Sequence, residues 1–533
     1  MSTTAASYRS SLPVGRDGFA QLLHAEWTKF RTVRGWVITA VAAALLTVLF
    51  AYLGTFHHEN GGICVGANSA SGTCQSYAHP SPPLGPGGEA VTDTYYFVHR
   101  TLAGDGSITV RVASLSGLIQ AGNGNAVSVG DLGGAPGPLQ PWAKAGLILA
   151  AGTKPGAAYA SVMLTGADGV RMQYDYVHDT AGPAASARSP RWLRLTRSGA
   201  TLTGYESADG RKWIRVGSAH LASLPQIVQA GLFVTSPQTA PDQQALVPGG
   251  SSKATGATAT FGQPGLQGGW SPGGWTAGEV GDTGLYSTLS SVGSTRSGSG
   301  FTITGSGDIA PAVGVGYDDT PDLTGVFVGL IALIVLGAMF ITGEYRRGLI
   351  QTTLAASPRR GRVLVAKAVV IAAVAFVAGG AAAAVSILLG DHLLRANGNY
   401  VYPIGTLTQL RVILGTGALV ALAAVLALAL GTALRRGAGA VTAAIVLIVL
   451  PYMLALYSAL PAGLSRWLMR ITPDAAFAVE QTLPQYHQVS YLYTPSEGFY
   501  PLAPGLGLAV LGAYTLGTML VAHRVLRARD AAA

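Results

Sequence analysis

Charged side chains that could bind a partner lie together in one short segment of the apolar C-terminal half. The segment reads Gly-Glu-Tyr-Arg-Arg-Gly at 343–348 and Ser-Pro-Arg-Arg-Gly-Arg at 357–362. Carboxylate and guanidinium groups at this density offer charge-assisted hydrogen bonds to another protein surface. The cations in this segment and just after it are Arg346, Arg347, Arg359, Arg360, Arg362 and Lys367. Their concentration between two apolar stretches predicts a cytoplasmic loop of a membrane protein.

The two cysteines, Cys64 and Cys74, are the next residues with chemical potential. A short segment rich in Gly, Ser, Ala and Asn separates them. We expect a disulfide between them if this segment lies outside the cell, and two free thiols are the alternative. His57 and His58 lie nearby, but the absence of repeated ligand spacing argues against a metal site.

The carboxylates of the central polar region do not form the facing pair that glycoside hydrolysis needs. They lie singly or at turns: Asp105, Asp168, Asp175, Asp179, Glu206 and Asp209. We therefore predict no catalytic residue, no metal ligand and no cofactor site in this chain, and we do not expect an enzyme.

The composition indicates a membrane protein with a polar insert. Of 533 residues, 49% are hydrophobic and only 11% are charged, whereas soluble domains carry about 25% charged residues. The net charge of +9 is typical of the excess of Lys and Arg in cytoplasmic loops. Nucleic-acid binding would need a basic patch interleaved with aromatic residues on one soluble face, which the sequence does not indicate.

Six apolar stretches, each close to the ~20 residues that a bilayer requires, predict transmembrane helices. They cover residues 35–54, 323–342, 368–389, 412–434, 440–460 and 506–522. Lys and Arg of the flanking segments fall mostly on one side, which places both termini in the cytoplasm and the long insert outside. A membrane protein of this type is expected in the plasma membrane.

The sequence also predicts the character of the segments between and beside these helices. Residues 1–16 read as a disordered cytoplasmic tail, 461–505 as an extracellular loop and 523–533 as a second cytoplasmic tail. Residues 17–34 predict an amphipathic helix at the membrane surface, and packing on protein is the alternative. Its apolar face would carry Phe19, Leu22, Leu23, Trp27 and Phe30.

The insert between the first two spans reads as β structure. After a linker at 55–84 that carries the cysteines, residues 85–265 predict an all-β sandwich, and 266–322 read as a Gly/Ser-rich return linker with one edge strand near Phe301. Turn signals such as Asp209-Gly210 separate the predicted strands. These cover residues 107–113, 145–151, 158–165, 170–176, 192–196, 201–207, 213–217 and 228–236.

Residues 192–197 and 204–213, together with 145–147 and 230–234, resemble the concanavalin A-like lectin/glucanase jelly roll. The resemblance covers roughly residues 90–262 and implies an extracellular jelly-roll domain. Function does not follow from that fold. Ligand or carbohydrate binding and a structural or partner-docking role both stay open.

The membrane half resembles ABC transporter permeases of the actinobacterial type-2 exporter class. The run Ala-Glu-Trp-Thr-Lys-Phe-Arg-Thr at 25–32 before the first span is similar to the start of these permeases. Ile-Thr-Gly-Glu-Tyr-Arg-Arg-Gly at 341–348, Thr-Thr-Leu-Ala at 352–355 and Ser-Pro-Arg-Arg at 357–360 are similar to their first cytoplasmic loop. The inserted β domain departs from the short outer loop usual in the family.

The resemblance implies partners and a mechanism. Separate ABC ATPase subunits would bind ATP and magnesium, since this sequence has no Gly-x-x-x-x-Gly-Lys-Ser/Thr phosphate loop. A second permease copy or homologue, in a homodimer or heterodimer, would complete the pathway among the membrane lipids. Residues 343–367 would form the coupling loop, with a coupling helix from Glu344 to Pro358; fixing topology is the alternative role for its cations. The predicted ATPase-coupling residues are Glu344, Tyr345, Arg346, Arg347, Gly348, Pro358 and Arg359.

Two functions follow from these observations. The first is the permease subunit of an ATP-driven exporter, with an apolar or amphipathic cargo because the spans are neutral. The alternative is a membrane-anchored protein whose outer domain binds a cell-surface glycan or a protein partner. Six spans favour the first, because an anchor needs only one.

Overall fold

The computed structural model describes residues 18–56, 82–120, 134–239, 253–281, 292–314, 316–318, 323, 325–356, 359–457, 460–491 and 493–529. The predicted tail at 1–16 and the predicted disulfide between Cys64 and Cys74 lie outside these residues.

The described residues contain nine α-helices, six of them long and apolar enough to cross a membrane. The spanning candidates are α2 (Arg34–Phe56), α3 (Val326–Arg346), α5 (Arg360–Ala396), α6 (Thr406–Leu434), α7 (Gly437–Leu456) and α9 (Pro504–Arg529). The other three are α1 (Phe19–Thr32), α4 (Leu349–Ala356) and α8 (Ala462–Ile471). Two 3₁₀ helices, Pro473–Glu480 and Pro495–Glu497, precede α9. The chain is therefore a multi-pass membrane protein.

Helix α6 is the centre of the bundle, because it packs on α3, α5, α7 and α9. Small residues let these backbones approach closely. A Cβ on Gly337 of α3 would lie 2.2 Å from the carbonyl oxygen of Ala424 on α6, and one on Gly417 of α6 would lie 2.9 Å from the carbonyl oxygen of Phe376 on α5. The glycines thus fix the positions of α3 and α5 against α6.

A β-rich domain lies between α2 and α3 in the chain, and every pair of described strands in it is antiparallel. Its strands are β1 (Val91–Asp93), β2 (Tyr95–Gln120), β3 (Gly134–Gly137), β4 (Lys144–Ala150), β5 (Tyr159–Thr165), β6 (Val170–Tyr174), β7 (His178–Ala181), β8 (Arg191–Ser198), β9 (Thr201–Ser207), β10 (Ile214–His220), β11 (Ile227–Thr235), β12 (Thr255–Phe261), β13 (Gly265–Trp270), β14 (Thr276–Val280), β15 (Gly293–Ser297), β16 (Gly300–Ser306) and β17 (Ile309–Pro311). Each of the eight predicted strands overlaps one of these.

The long strand β2 organises the domain. Its 26 residues pair in succession with β11 and β14, with β13 and β8, and with β12 and β3. The alternate residues Ile108, Val110 and Val112 are buried in the main β core, as the period of two in a strand requires.

The prediction of a return linker at 266–322 is corrected by strands β13 to β17. In β16, Phe301 and Ile303 are buried in the same core as β12. Strand β17 is held by Lys144, whose buried Nζ donates to the carbonyl oxygen of Ile309 and to Oδ1 of the preceding Asp308, both at 2.6 Å. Gly, Ser and Thr suggested flexibility, but paired neighbours supply the packing that decides whether such a segment forms strands.

The β domain rests on loops at one end of the helix bundle. Gln488, in the segment between α8 and α9, donates through Nε2 to the carbonyl oxygen of Tyr176 at 3.2 Å. Tyr402, between α5 and α6, donates through its hydroxyl to the carbonyl oxygen of Ala312 at 2.8 Å. The opposite end of the bundle carries α1, α4 and the C-terminal end of α9. There Arg360 of α5 donates to the carbonyl oxygen of Leu526 on α9.

Candidate functional site

Helix α1 packs on the bundle through only part of its predicted apolar face, together with Glu26. Glu26 and Phe30 are buried, whereas Phe19 and Trp27 are exposed. The helix contacts α5 and α2. It therefore packs on protein through one side, and it keeps two large apolar side chains on the other.

Four charged side chains from three helices meet where α1 packs on α3 and α5. Lys367 of α5 places Nζ 2.8 Å from Glu26 Oε2 and 2.7 Å from Glu344 Oε1. Lys29 places Nζ 3.0 Å from Glu26 Oε1 and 3.3 Å from Glu344 Oε1. Two ammonium groups and two carboxylates thus balance, and we call Glu26, Lys29, Glu344 and Lys367 the charge cluster.

The charge cluster is shielded from solvent on its bundle side. Lys367 and Glu26 are 0% and 1% exposed, and Glu344 is also buried. The ring of Phe340 lies 4.9 Å from Lys367 Nζ and packs edge-on against Trp36 at 4.8 Å. Buried charges are tolerated only when they are paired, so this arrangement fixes the three helices relative to one another.

Lys29 is the half-buried member of the charge cluster. Burial by itself lowers the pKa of Lys29, but the carboxylates of Glu26 and Glu344 outweigh it and raise the pKa above its usual range. The ammonium group therefore stays charged at neutral pH. It also lies 3.4 Å from Thr353 Oγ1, so α4 is joined to the same cluster.

The predicted coupling helix consists of two elements. Helix α3 continues to Arg346, and α4 begins at Leu349 after Gly348, whose φ of +67° favours glycine. Arg346, Arg347, Gly348, Leu349 and Arg359 are exposed. The exposed arginines that flank α4 thus form a cationic surface beside the charge cluster, and we call Arg346, Arg347, Arg359 and α4 the α4 surface.

Three predicted coupling residues have other positions. Glu344 is buried in the charge cluster and does not belong to the α4 surface. Tyr345 is half-buried, with the guanidinium of Arg435 at 5.3 Å from its ring centre. Pro358 lies outside the described residues.

Lys367 requires a correction, because the sequence reading counted it among the cations of an exposed loop. It lies inside α5 and is fully buried. Glu26 and Lys29 were missed as site residues altogether. The available signal was a carboxylate next to the apolar positions of an amphipathic helix, since such a charge must find a partner when that face packs.

Two further carboxylates are buried at the other end of the bundle. Asp474 is the second residue and Glu480 the last residue of the 3₁₀ helix Pro473–Glu480, which packs on α6, α7 and α9. Burial raises the pKa of Asp474 to about 6 and that of Glu480 to about 8. Sequence reading found no charge at the centre of a span, and it missed that a loop segment brings these two groups into the bundle.

The described residues hold no group of three or more His, Cys, Asp or Glu side chains arranged for a metal ion. The arrangement at the charge cluster and the α4 surface is suited to binding and to transmitting a displacement.

Residues 200–494 match the family described as ABC-2 family transporter protein. The matched segment begins in the β domain and includes α3, α4, α5 and the loop after α8. Among curated proteins, none matches this chain.

Similar solved structures include a functionally unknown protein from Saccharomyces cerevisiae, with 15% identity, a TM-score of 0.18, and coverage of 34% of this chain and 76% of that one. Another is Scytalido-glutamic peptidase with a peptide-based transition-state analog, with 8% identity, a TM-score of 0.22, and coverage of 40% and 98%. At these TM-scores neither structure informs the fold or the function. The family match spans more than half of the chain and includes the helices that form the α4 surface, so this chain belongs to the ABC-2 family of transporter proteins.

Proposed function

We propose that this chain is the membrane-spanning permease subunit of an ATP-driven exporter and that a separate ATPase subunit supplies the energy. The observation that carries the proposal is the short helix α4, which lies between two spans and is joined through Lys29 to the charge cluster. Membership of the ABC-2 family supports a permease role. The exported cargo and the separate ATPase are our inference.

The α4 surface is the proposed ATPase contact. Its arginines, Arg346, Arg347 and Arg359, offer bidentate donors to carboxylates of a partner. Glycine at 348 permits α4 to turn away from α3. A push on α4 would act on Lys29 through Thr353, and the charge cluster would move α1, α3 and α5 as one body.

The cluster suits this task because its ion pairs are short and largely dry. Separating α1 from α5 would break the 2.8 Å pair between Lys367 and Glu26 and leave Lys29 as the remaining partner of the buried Glu26 carboxylate, which costs several kcal/mol. A displacement of α4 would therefore be transmitted rather than absorbed by local separation of the helices. In this proposal Glu344 is a positioning residue, and it does not touch the ATPase.

The proposal assigns an orientation and a cargo class. The end of the bundle that carries α1, α4 and the end of α9 would face the cytoplasm, and the β domain would lie outside as a concanavalin A-like jelly roll. Its all-antiparallel pairing supports that fold. The cargo would be apolar or amphipathic, because the spans are apolar and neutral. A stripe of exposed residues on α2 would contact lipid or a second permease copy: Ile38, Val41, Leu45, Leu49 and Leu53.

The test is co-purification of an ATPase with the full chain. The tagged chain is extracted in mild detergent from its own host, and the eluate is assayed for ATP hydrolysis and for a second polypeptide with a phosphate loop. We expect the variant Arg346→Gln/Arg347→Gln to lose most of the bound ATPase. Arg527→Gln is the matched control, because Arg527 is an exposed cation at the same end of the bundle.

An eluate in which the wild-type chain carries no ATPase would overturn the proposal of a separate energising subunit. Equal ATPase recovery with all variants would keep the permease role but remove the α4 surface as the contact. The alternative function, a membrane-anchored protein that binds an extracellular glycan or protein, predicts the first of these results.

A further inference from the structure

One outer face of the β domain gathers cations and aromatic rings from four neighbouring strands. Antiparallel register places Arg111 of β2 opposite Trp192 of β8. The next row joins Thr109 of β2, Arg194 of β8 and Tyr205 of β9, and Tyr205 in turn lies opposite Arg215 of β10. We call Arg111, Trp192, Arg194, Tyr205, Trp213 and Arg215 the cationic face.

Arg194, at the centre of the cationic face, is held in place by its neighbours. Its Nε donates to Thr109 Oγ1 at 3.1 Å. Its guanidinium carbon lies 3.9 Å from the ring centre of Trp213. A guanidinium stacked in this way has already lost much of its rotational freedom, so a ligand that binds it bears less of that entropic cost.

The turn between β9 and β10 completes the cationic face. Gly210 packs so closely on Trp192 that a Cβ would lie 3.0 Å from the indole, and its φ is +73°. The carboxylate of Asp209 accepts the backbone N–H groups of Arg211 and Lys212 at 2.8 and 2.9 Å. The carboxylate of Asp209 is therefore occupied by the backbone of the turn, and the side chains of Arg211 and Lys212 add two cations at the edge of the face.

The charge of this face is not neutralised within the described part of the chain. Arg111, Arg194 and Arg215 form no ion pair there. The nearby carboxylate of Glu206 is buried on the inner side of β9 and lies 4.0 Å from Arg191. Arg111 and Arg215 are exposed. A partner that binds here should therefore be anionic.

Hydroxyl side chains continue the same outer face. Ser107 lies opposite Thr196, Thr196 opposite Thr203, and Thr203 opposite Ser218, whose Oγ is 3.0 Å from Thr203 Oγ1. Such a row can exchange hydrogen bonds with ligand hydroxyl groups. The residues that rest on the helix bundle, among them Tyr176 and Ala312, belong to other parts of the domain. Among the described residues, the contacts between the β domain and the helix bundle therefore leave the cationic face uncovered.

We propose that the cationic face binds an anionic polysaccharide, with Arg194 and Arg215 on its carboxylate or phosphate groups and the aromatic rings and hydroxyl row on its sugars. The combination of arginines, aromatic rings and hydroxyl groups favours an anionic polysaccharide over other ligands. A lipid surface would not use the hydroxyl row, and neutral glycans would not need the arginines. The inference is independent of the ATPase contact, so either can fail without the other.

The test measures binding of the full chain in detergent to two fluorescently labelled polymers of similar size by fluorescence anisotropy. Polygalacturonate is the polymer with carboxylates, and dextran is the neutral polymer. We expect polygalacturonate to bind and dextran not to bind. Arg194→Gln/Arg215→Gln should weaken binding by about a hundredfold or more, since each lost hydrogen bond to a charged group corresponds to about a tenfold or larger change in Kd. Arg296→Gln is the matched control, because Arg296 is an exposed arginine on β15 outside this face.

A second pair of variants separates binding from folding. Trp213→Ala removes the ring that orders Arg194 and should weaken binding, whereas Trp213→Phe should restore most of it. Polyglycerol phosphate, as a phosphate-bearing probe, distinguishes a phosphate polymer from a uronic acid polymer, and binding of either supports the proposal. Absence of binding by both, equal binding of dextran, an unaltered affinity in the double variant, or tighter binding to phosphatidylglycerol vesicles or to single-stranded DNA would overturn it.

Discussion

Replacing Lys367 with Met removes the ammonium group on which the charge cluster depends. Its Nζ contacts one oxygen each of Glu26 and Glu344, at 2.8 and 2.7 Å, and the side chain is fully buried. Methionine has a similar shape, but it leaves two buried carboxylates to share Lys29, whose side chain is 38% exposed. The variant therefore tests charge pairing with little change in packing.

The expected loss of stability is about 3 kcal/mol. Breaking a buried ion pair by removing one partner costs about 3–5 kcal/mol, because the remaining charge stays out of water. The lower end applies here, since Lys29 still reaches Glu344 Oε1 at 3.3 Å and compensates part of the charge. A loss of this size shifts the unfolding equilibrium by about a hundredfold.

The assay is thermal unfolding of the full chain in detergent, followed by size-exclusion chromatography of heated samples. Arg362→Met is the matched control, because Arg362 lies on the same helix and is exposed. Its expected effect is within about 0.5 kcal/mol. The double variant Lys367→Met/Glu344→Gln should recover part of the loss, because it leaves Glu26 and Lys29 as one balanced pair.

Equal melting temperatures of Lys367→Met and Arg362→Met would contradict the role of the charge cluster in stability. A double variant that loses as much as the two single changes added together would also contradict it. Either result would mean that apolar packing around Phe340, and not the buried charges, holds α1 to α3 and α5.

Three further predictions concern other parts of the chain. Burial raises the pKa of Asp93 in the β domain from 3.8 to about 6. The stabilising contribution of Asp93 is therefore complete below about pH 4 and is lost as the pH rises through about 6. Asp93→Asn should remove this decrease from melting temperatures measured across that range, and the same pH dependence in wild type and variant would contradict the prediction. Burial raises the pKa of Glu480 from 4.5 to about 8, so the wild type should lose stability as the pH rises from about 4.5 to about 8 while Glu480→Gln does not, and parallel stability curves between those two pH values would contradict this prediction. A Cβ at Gly337 would meet the carbonyl oxygen of Ala424 at 2.2 Å, whereas one at Gly343 on the same helix meets nothing within 4 Å; Gly337→Ala should therefore lower the melting temperature and the yield of monodisperse protein, and Gly343→Ala should not.

The membrane part of the fold could be predicted well from local composition. An apolar stretch of about 20 residues is a sufficient condition for a spanning helix, because the bilayer sets its length and no distant partner is needed. Helices such as α3 and α5 nevertheless extend beyond the predicted spans, since polar helical turns at their ends pack on other elements. Hydropathy marks the apolar core of a span and not the end of its helix.

The β domain could be predicted less completely. Strands with alternating apolar residues were identified, but β13 to β17 were read as linker because their Gly, Ser and Thr content is typical of flexible segments. What makes them strands is pairing with other strands. Strands β13 and β14 pair with β2, β16 with β12 and β17 with β1, all far away in the sequence, and β15 pairs with its neighbour β16. Strand formation depends on such neighbours more than on the intrinsic preference of the residues.

Local composition along the chain was enough to predict the class of the protein, the number of apolar spans and the residues of the cationic segment after α3. The burial of Glu344 and Lys367, and their pairing with Glu26 and Lys29 of α1, can be seen only in the folded molecule. The physical reason is that hydropathy is a local property of the chain, whereas a buried charge is stable only beside an opposite charge, and that partner can come from any part of the chain that the fold brings within hydrogen-bonding distance.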